Sequence, residues 1–190
     1  TIADLIDEED LVVTISHSGY AKTQAVEDYQ AQRRGGRGKA ATSMKDEDFI
    51  EKLLVANSHD TILCFSNRGK VYWLRVFEIP RGSRGSRGRP MVNILPLDEG
   101  ERITTFLPVR DYPEDQFVLM ATSAGVVKKT PIPNFSRPRS SGLIALNLDE
   151  GDTLIYAALT PGSAVRIRFH HPGKPVHLPR KKVGRPSRSQ

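Results

Sequence analysis

TILCFSNRGKVYWL, residues 61–74, opens with a β-rich apolar run. It breaks at Ser66-Asn67-Arg68-Gly69 and resumes with a second β-rich run. Polar residues ending in glycine between two such runs predict a hairpin whose last turn position needs positive φ. The same arrangement recurs in LVVTISHSGYAKT (11–23), in FVLMATSAGVVKKT (117–130) and, more weakly, in VRIRFHHPGKPVHL (165–178). The turn glycines are Gly19, Gly69, Gly125 and Gly173, spaced by 50, 56 and 48 residues.

A second element repeats between the hairpins. RPMVNILPLDEGERITTFLPV (89–109) matches SGLIALNLDEGDTLIYAALT (141–160) around Leu-Asp-Glu-Gly at 97–100 and 148–151, and Leu53–Ala56 takes the corresponding place in the first unit. Each unit thus offers about four short strands, the period of propeller-type blades. A single unit cannot bury its apolar face, so neighbours must stack. The alternative is an all-β sandwich or barrel with coincidental internal similarity. Helical signal is weak: Met44–Leu54 has apolar residues at helical spacing but gives way to β-favouring ones.

The 190 residues suit one ordinary domain, and the 38% hydrophobic content fits modest cores. The one cysteine, Cys64, excludes an internal disulfide or a cysteine metal cluster and reads as a small core hydrophobe. No run approaches the roughly 20 apolar residues of a bilayer-spanning helix, and the acidic start TIADLIDEEDL is not a signal peptide. The expectation is a cytoplasmic protein. Residues 163–190 carry eight Lys/Arg and no Asp/Glu, so the net +6 comes from that tail; residues 1–162 hold 20 basic and 22 acidic residues.

Within the main body the charges are segregated. Three clusters hold four Lys/Arg each: QRRGGRGK (32–39) with Arg33, Arg34, Arg37 and Lys39; RGSRGSRGRP (81–90) with Arg81, Arg84, Arg87 and Arg89; and 128–139 with Lys128, Lys129, Arg137 and Arg139. Each follows a glycine hairpin, so a radial array would line them along one rim. Guanidinium groups fork onto phosphate oxygens, and glycines let backbone N–H groups approach an anion. Such a track would hold a nucleic-acid backbone with little sequence preference and steep salt dependence. For one cluster alone, a solvated surface loop explains the residues equally well. QRRGGRGK is not a Walker A loop, since Ala40 follows Gly38-Lys39, and RGSRGSRG is too short for collagen.

Catalytic patterns are weak. His17, His59, His170, His171 and His177 lack metal-ligand spacing; His17 and His59 sit in or beside turns and read as surface residues. Tyr20, Tyr29, Tyr72 and Trp73 adjoin basic residues, but half-buried strand positions explain them better than base stacking. Asp98-Glu99 and Asp149-Glu150 read as turn acids.

QRRGGRG (32–38) is similar to the gyrase-A box, usually written QRRGGKG, with Arg37 at the one differing position. VVTISHSGYAKTQ (12–24), DFIEKLLVANSHDTILCFSNRGKVY (48–72), RGRPMVNILPLDEGERIT (87–104) and MATSAGVVKKT (120–130) likewise resemble the family of C-terminal domains found in the A subunit of DNA gyrase. The resemblance covers roughly residues 4–160. It implies an all-β fold, a β-pinwheel of four-stranded blades that exchange a strand. In this chain the expectation is a partial or open array of about three to four blades at 11–160, after an acidic linker at 1–10. A basic proline-rich tail at 161–190 would be a divergent, partial blade. The resemblance implies duplex DNA bent around the basic rim in support of ATP-dependent negative supercoiling. The implied contacts are Gln32, Arg33, Arg34, Gly35, Gly36, Arg37, Gly38 and Lys39 in the box, then Arg81, Arg84, Arg87, Arg89, Lys128, Lys129, Arg137 and Arg139. It further implies a noncatalytic, monomeric domain without its own cofactor, the ATP and Mg2+ being used by a whole enzyme of two A and two B subunits, associated with the nucleoid. The related topoisomerase IV domain, binding without chiral wrapping, and a propeller-like protein-interaction scaffold are the alternatives.

Overall fold

The computed structural model describes residues 1–34, 48–83, 85–162, 169–171 and 174–176, with backbone alone for Gln32–Arg34 and for the last two stretches. The strands are β1 (Asp10–Ser16), β2 (Tyr20–Ala25), β3 (Ile50–Asn57), β4 (Thr61–Ser66), β5 (Lys70–Arg75), β6 (Arg89–Pro90), β7 (Ile103–Val109), β8 (Gln116–Thr122), β9 (Val127–Pro131), β10 (Leu143–Ile144), β11 (Leu154–Pro161), β12 (Phe169–His171) and β13 (Lys174–Val176). Among the described residues an α-helix, α1 (Val26–Arg34), follows β2.

The strands form antiparallel sheets in the orders β3-β1-β2-β6, β7-β4-β5-β10 and β11-β8-β9, and β12 pairs with β13 alone. The all-β array of successive blades is therefore present, with a difference in the third sheet, which has three strands among the described residues. Strand exchange is visible in the first two. β6 comes from the second unit yet pairs with β2 of the first, Tyr20 facing Pro90. β10 comes from the third unit and pairs with β5 of the second, Val71 facing Leu143. Each donated strand ends alike: Met91 N–H donates to Gly19 O at 2.8 Å, and Ala145 N–H donates to Gly69 O at 2.8 Å.

The three hairpin turns are built identically. Gly19, Gly69 and Gly125 have φ of 84°, 76° and 86°. Their N–H groups donate to the carbonyls of Ser16, Ser66 and Thr122 at 2.9–3.0 Å. The hydroxyls of those residues accept from the N–H after the glycine, at Tyr20, Lys70 and Val126. A Ser/Thr at the opening and glycine at the close therefore satisfy the turn's backbone without strain.

An acid from the following segment clasps each turn. Ser18 N–H donates to Asp48 Oδ1 at 2.9 Å. Ser66 Oγ donates to Glu101 Oε2 at 2.6 Å. Ser123 Oγ and Ala124 N–H donate to Asp152 Oδ1 at 2.7 and 2.9 Å. The Thr122 and Ser123 hydroxyls, with the Ala124 and Thr153 amides, hold the Asp152 carboxyl down at about 2. Glu101 and Asp152 directly follow the Leu-Asp-Glu-Gly glycines. The acids within that motif behave differently: Asp98 lies 3.8 Å from Arg68, on the turn surface.

The core lies between sheets. Leu11, Val13, Ile15, Ile62, Cys64, Tyr72 and Leu74 fill the space between the first and second. Leu63, Phe65, Val71, Val118, Met120, Phe135 and Leu154 fill the space between the second and third. β4 contributes alternate residues to both, which explains its unbroken apolar run. Cys64 is wholly buried there, and burial pushes its thiol pKa far up. Tyr72 is buried too, and Trp73 donates its indole N–H to Phe135 O at 2.8 Å. His59 is half-buried, its Nε2 2.7 Å from Ile6 O, so the surface reading of this histidine is corrected.

The helix is a second correction. Val26–Arg34 is helical where the sequence reading placed no helix, so the box begins in a helical turn rather than wholly in a loop. Glu27, Gln30 and Ala31 are good helix formers, and Glu27 and Asp28 lie in the first turn, where acids suit the helix dipole. Over the described part of Met44–Leu54 the chain is strand, from Ile50 onward.

Candidate nucleic-acid interface

Two connections carry the basic residues between described strands, and they are equivalent. From β5 the chain makes a 3-10 turn at Val76–Glu78, runs through the second cluster and enters β6. From β9 it makes a 3-10 turn at Ile132–Phe135, passes Arg137 and Arg139 and enters β10. β6 and β10 lie at the same edge of their sheets, opposite β3 and β7. The two connections therefore follow one side of the array. The first unit's connection leaves β2 at this side through α1. Gly35, Gly36, Arg37, Gly38, Lys39 and Arg84 lie outside the described residues, as do the side chains of Gln32, Arg33 and Arg34.

Arg81, Arg87, Arg89, Arg137 and Arg139 are exposed. Arg87 stands over the Tyr20 ring with its guanidinium carbon 5.2 Å from the centroid. That covers one face of the Tyr20 ring. Arg81 meets Glu9 in an ion pair. Glu9 is placed by backbone bonds: Ser58 N–H donates to Glu9 O at 2.8 Å and Glu9 N–H donates to Ser58 Oγ at 3.0 Å. The acidic opening segment thus lies against the β3–β4 turn, and Glu8 meets Arg110 nearby.

Lys128 and Lys129 do not belong to the connection. They lie within β9, where consecutive side chains point to opposite faces. Lys128 Nζ donates to Ala145 O at 3.2 Å. Lys129 Nζ stands 4.4 Å from the Phe117 ring centroid and donates to Gly162 O. The third cluster is therefore divided: two arginines on the connection and two lysines tied to neighbouring carbonyls.

The loop at Arg81–Arg89 is shaped by a residue outside all three clusters. Lys22 on β2 donates from Nζ to Ser83 O at 3.0 Å and to Ser86 O at 2.9 Å. Burial lowers its pKa. A groove between α1 and this loop is lined by Thr23, Gln24, Asp28, Ala31, Arg81 and Ser83, among others. Among the described residues no three His, Cys, Asp or Glu side chains are placed to hold a metal ion. Among them, too, no helix is long and apolar enough to cross a membrane.

A family model described as the DNA gyrase C-terminal domain, β-propeller, matches residues 10–57, 60–110 and 116–161, one stretch per repeat unit. The chain is similar to the A subunit of DNA gyrase from Haemophilus influenzae, 61% identical over 177 residues, which are 93% of this chain and 20% of that protein. It spans about a fifth of the length of the curated relatives it matches. Among solved structures it resembles the C-terminal domain of DNA topoisomerase IV, with a TM-score of 0.66 and 30% identity over 82% of this chain and 47% of that one. The DNA gyrase A C-terminal domain shares the fold at a TM-score of 0.58 and 24% identity, covering 80% and 48%.

Proposed function

The chain belongs to the DNA gyrase C-terminal domain family, and from that premise we propose that it binds duplex DNA without sequence preference and bends it around its basic side. The observation that carries this reading is the equivalence of the β5–β6 and β9–β10 connections at one edge of successive sheets. Arginines repeated at that edge of successive sheets offer phosphate contacts along one side of the array, which a duplex that curves with the array would follow. Bending 20–30 base pairs by 40–90° costs of the order of 1–6 kcal/mol. Charge-assisted contacts worth about 1.5–3 kcal/mol each offset this once several form. Gln32 to Lys39, with Arg81, Arg84, Arg87, Arg89, Arg137 and Arg139, supply them. Lys128 and Lys129, tied to the carbonyls of Ala145 and Gly162, add positive charge.

In this reading the chain does no chemistry. It presents a wrapped duplex to the strand-passing parts of a gyrase of two A and two B subunits in the bacterial cytoplasm, where ATP and Mg2+ are used. The 61% identity to DNA gyrase relatives supports this assignment. The test is ligation of nicked circles around the bound chain, followed by topoisomer analysis. A change in linking number that grows with bound protein is expected. Tight binding with no change would reject wrapping, and absent duplex binding would reject the interface. The topoisomerase IV likeness favours a second reading, binding without a handed wrap. The same assay separates the two.

A further inference from the structure

Segment 80–90 leaves and rejoins the edge of β2 on either side of Lys22. On one side Thr23 N–H donates to Pro80 O, and Gly82 N–H donates to Thr23 O, both at 3.0 Å. On the other, Arg89 and Pro90 pair with Ala21 and Tyr20. The Lys22 ammonium fills the mouth of the loop between them, held by the carbonyls of Ser83 and Ser86. Ser86 closes the inner turn, donating from N–H and Oγ to Ser83 O at 3.1 and 2.9 Å. The glycines fit this close approach. An added Cβ would lie 2.9 Å from Lys22 Cδ at Gly82, and 2.3 Å from Ala21 O at Gly88, where φ is +88°.

We propose that Lys22 is the positioning residue of the second basic loop, whose ammonium folds segment 80–90 so that Arg81, Arg87 and Arg89 stand outward before DNA arrives. Lys22 itself meets no phosphate. Two of the three ammonium donors are spent inward on these carbonyls, and a loop ordered beforehand loses less freedom on binding. The next unit has a counterpart. Tyr72 occupies the equivalent place, third after its turn glycine, and lies under Gly142 as Lys22 lies under Gly88. The proposal rests on the duplex-DNA reading given above.

The test is a mutant cycle on the full chain, read by fluorescence anisotropy with a labelled duplex across a salt series. Lys22→Met should weaken binding about tenfold, a change of 1.4 kcal/mol. Lys22→Arg, which can donate to both carbonyls, should restore it to within about twofold. The Lys22→Met effect should vanish when Arg81, Arg87 and Arg89 are already alanine, and trypsin should cleave the 81–89 segment faster in Lys22→Met. Lys22→Gln, which keeps a donor, enters the same cycle if Lys22→Met fails to fold. Unchanged affinity in the lysine variants overturns the proposal. So does a loss that persists in the triple-alanine background with a salt slope shallower by about one, which would make Lys22 a phosphate contact. Parent chain that binds no duplex defeats the DNA reading instead, while the trypsin arm still judges the loop.

Discussion

Replacing Glu101 with alanine probes the clasp that joins one blade's turn to the next connection. The residue is 5% exposed. Its Oε1 accepts from Tyr72 OH at 2.6 Å and from Asp98 N–H at 3.0 Å, and its Oε2 accepts from Ser66 Oγ at 2.6 Å. Ser66 and Tyr72 are themselves 0% and 1% exposed. Alanine would leave both hydroxyls buried without this acceptor, at about 1–3 kcal/mol each. A total near 4 kcal/mol is a large part of a domain stability of about 5–15 kcal/mol. At roughly 2–4 °C per kcal/mol for a chain of this size, Tm should fall by about 8–16 °C.

The pH dependence has a definite sign. Burial would raise the Glu101 pKa, but hydrogen bonds from Ser66, Tyr72 and the Asp98 amide, with Lys70 nearby, outweigh it and hold the carboxyl below its ordinary 4.5. A depressed folded pKa stabilises the fold above the unfolded value and stops doing so as pH falls through the folded one. The gap between parent and Glu101→Ala should be constant from about pH 6 to 8 and narrow below about 4.5. Calorimetry or circular dichroism melts at several pH values read both. A Tm within about 2 °C of the parent at pH 7, or an undiminished gap at pH 3, would refute the reasoning.

Changing Arg81, Arg87 and Arg89 together to alanine should make the slope of log K against log salt shallower by about 2.7, at 0.9 per phosphate; an unchanged slope would remove these residues from the interface. Gly142→Ala, at φ +77° with a Cβ 2.7 Å from Tyr72 Cε1, should lose at least about 1–2 kcal/mol in chemical denaturation. Stability equal to the parent would count against the close packing of that loop. Glu9→Gln should free Arg81 and raise duplex affinity about two- to threefold, an effect absent in an Arg81→Ala background. An equal gain from Glu8→Gln, whose partner is Arg110, would point to general charge instead.

Much of the fold is local chemistry and could be read along the chain. The Ser/Thr-to-glycine turns and the period-2 apolar runs announce the three hairpins, since only glycine closes such a turn cheaply. The missed helix α1 carried its own signal, acids first and arginines last, but followed a β run without a break. Glu101 and Asp152 were legible as a repeat, each next after Leu-Asp-Glu-Gly. The acids inside the motif drew the turn reading in their place, because burial cannot be seen in a string. The basic clusters were legible as charge. Their division was not, because Lys128 and Lys129 differ from Arg137 and Arg139 only through β9's hydrogen-bonded register.

The sequence by itself determined the hairpin units and their order, because turn geometry and alternating burial depend on neighbours a few residues apart. Tertiary structure alone decided which edge receives each donated strand, where the arginines emerge and what Lys22 holds. Those contacts join residues some 60–70 positions apart, such as Tyr20 with Pro90 and Lys22 with Ser83. Two-residue strands have too little pattern to identify a partner. Their pairing becomes favourable only once the sheets have stacked and excluded water from the edges they share.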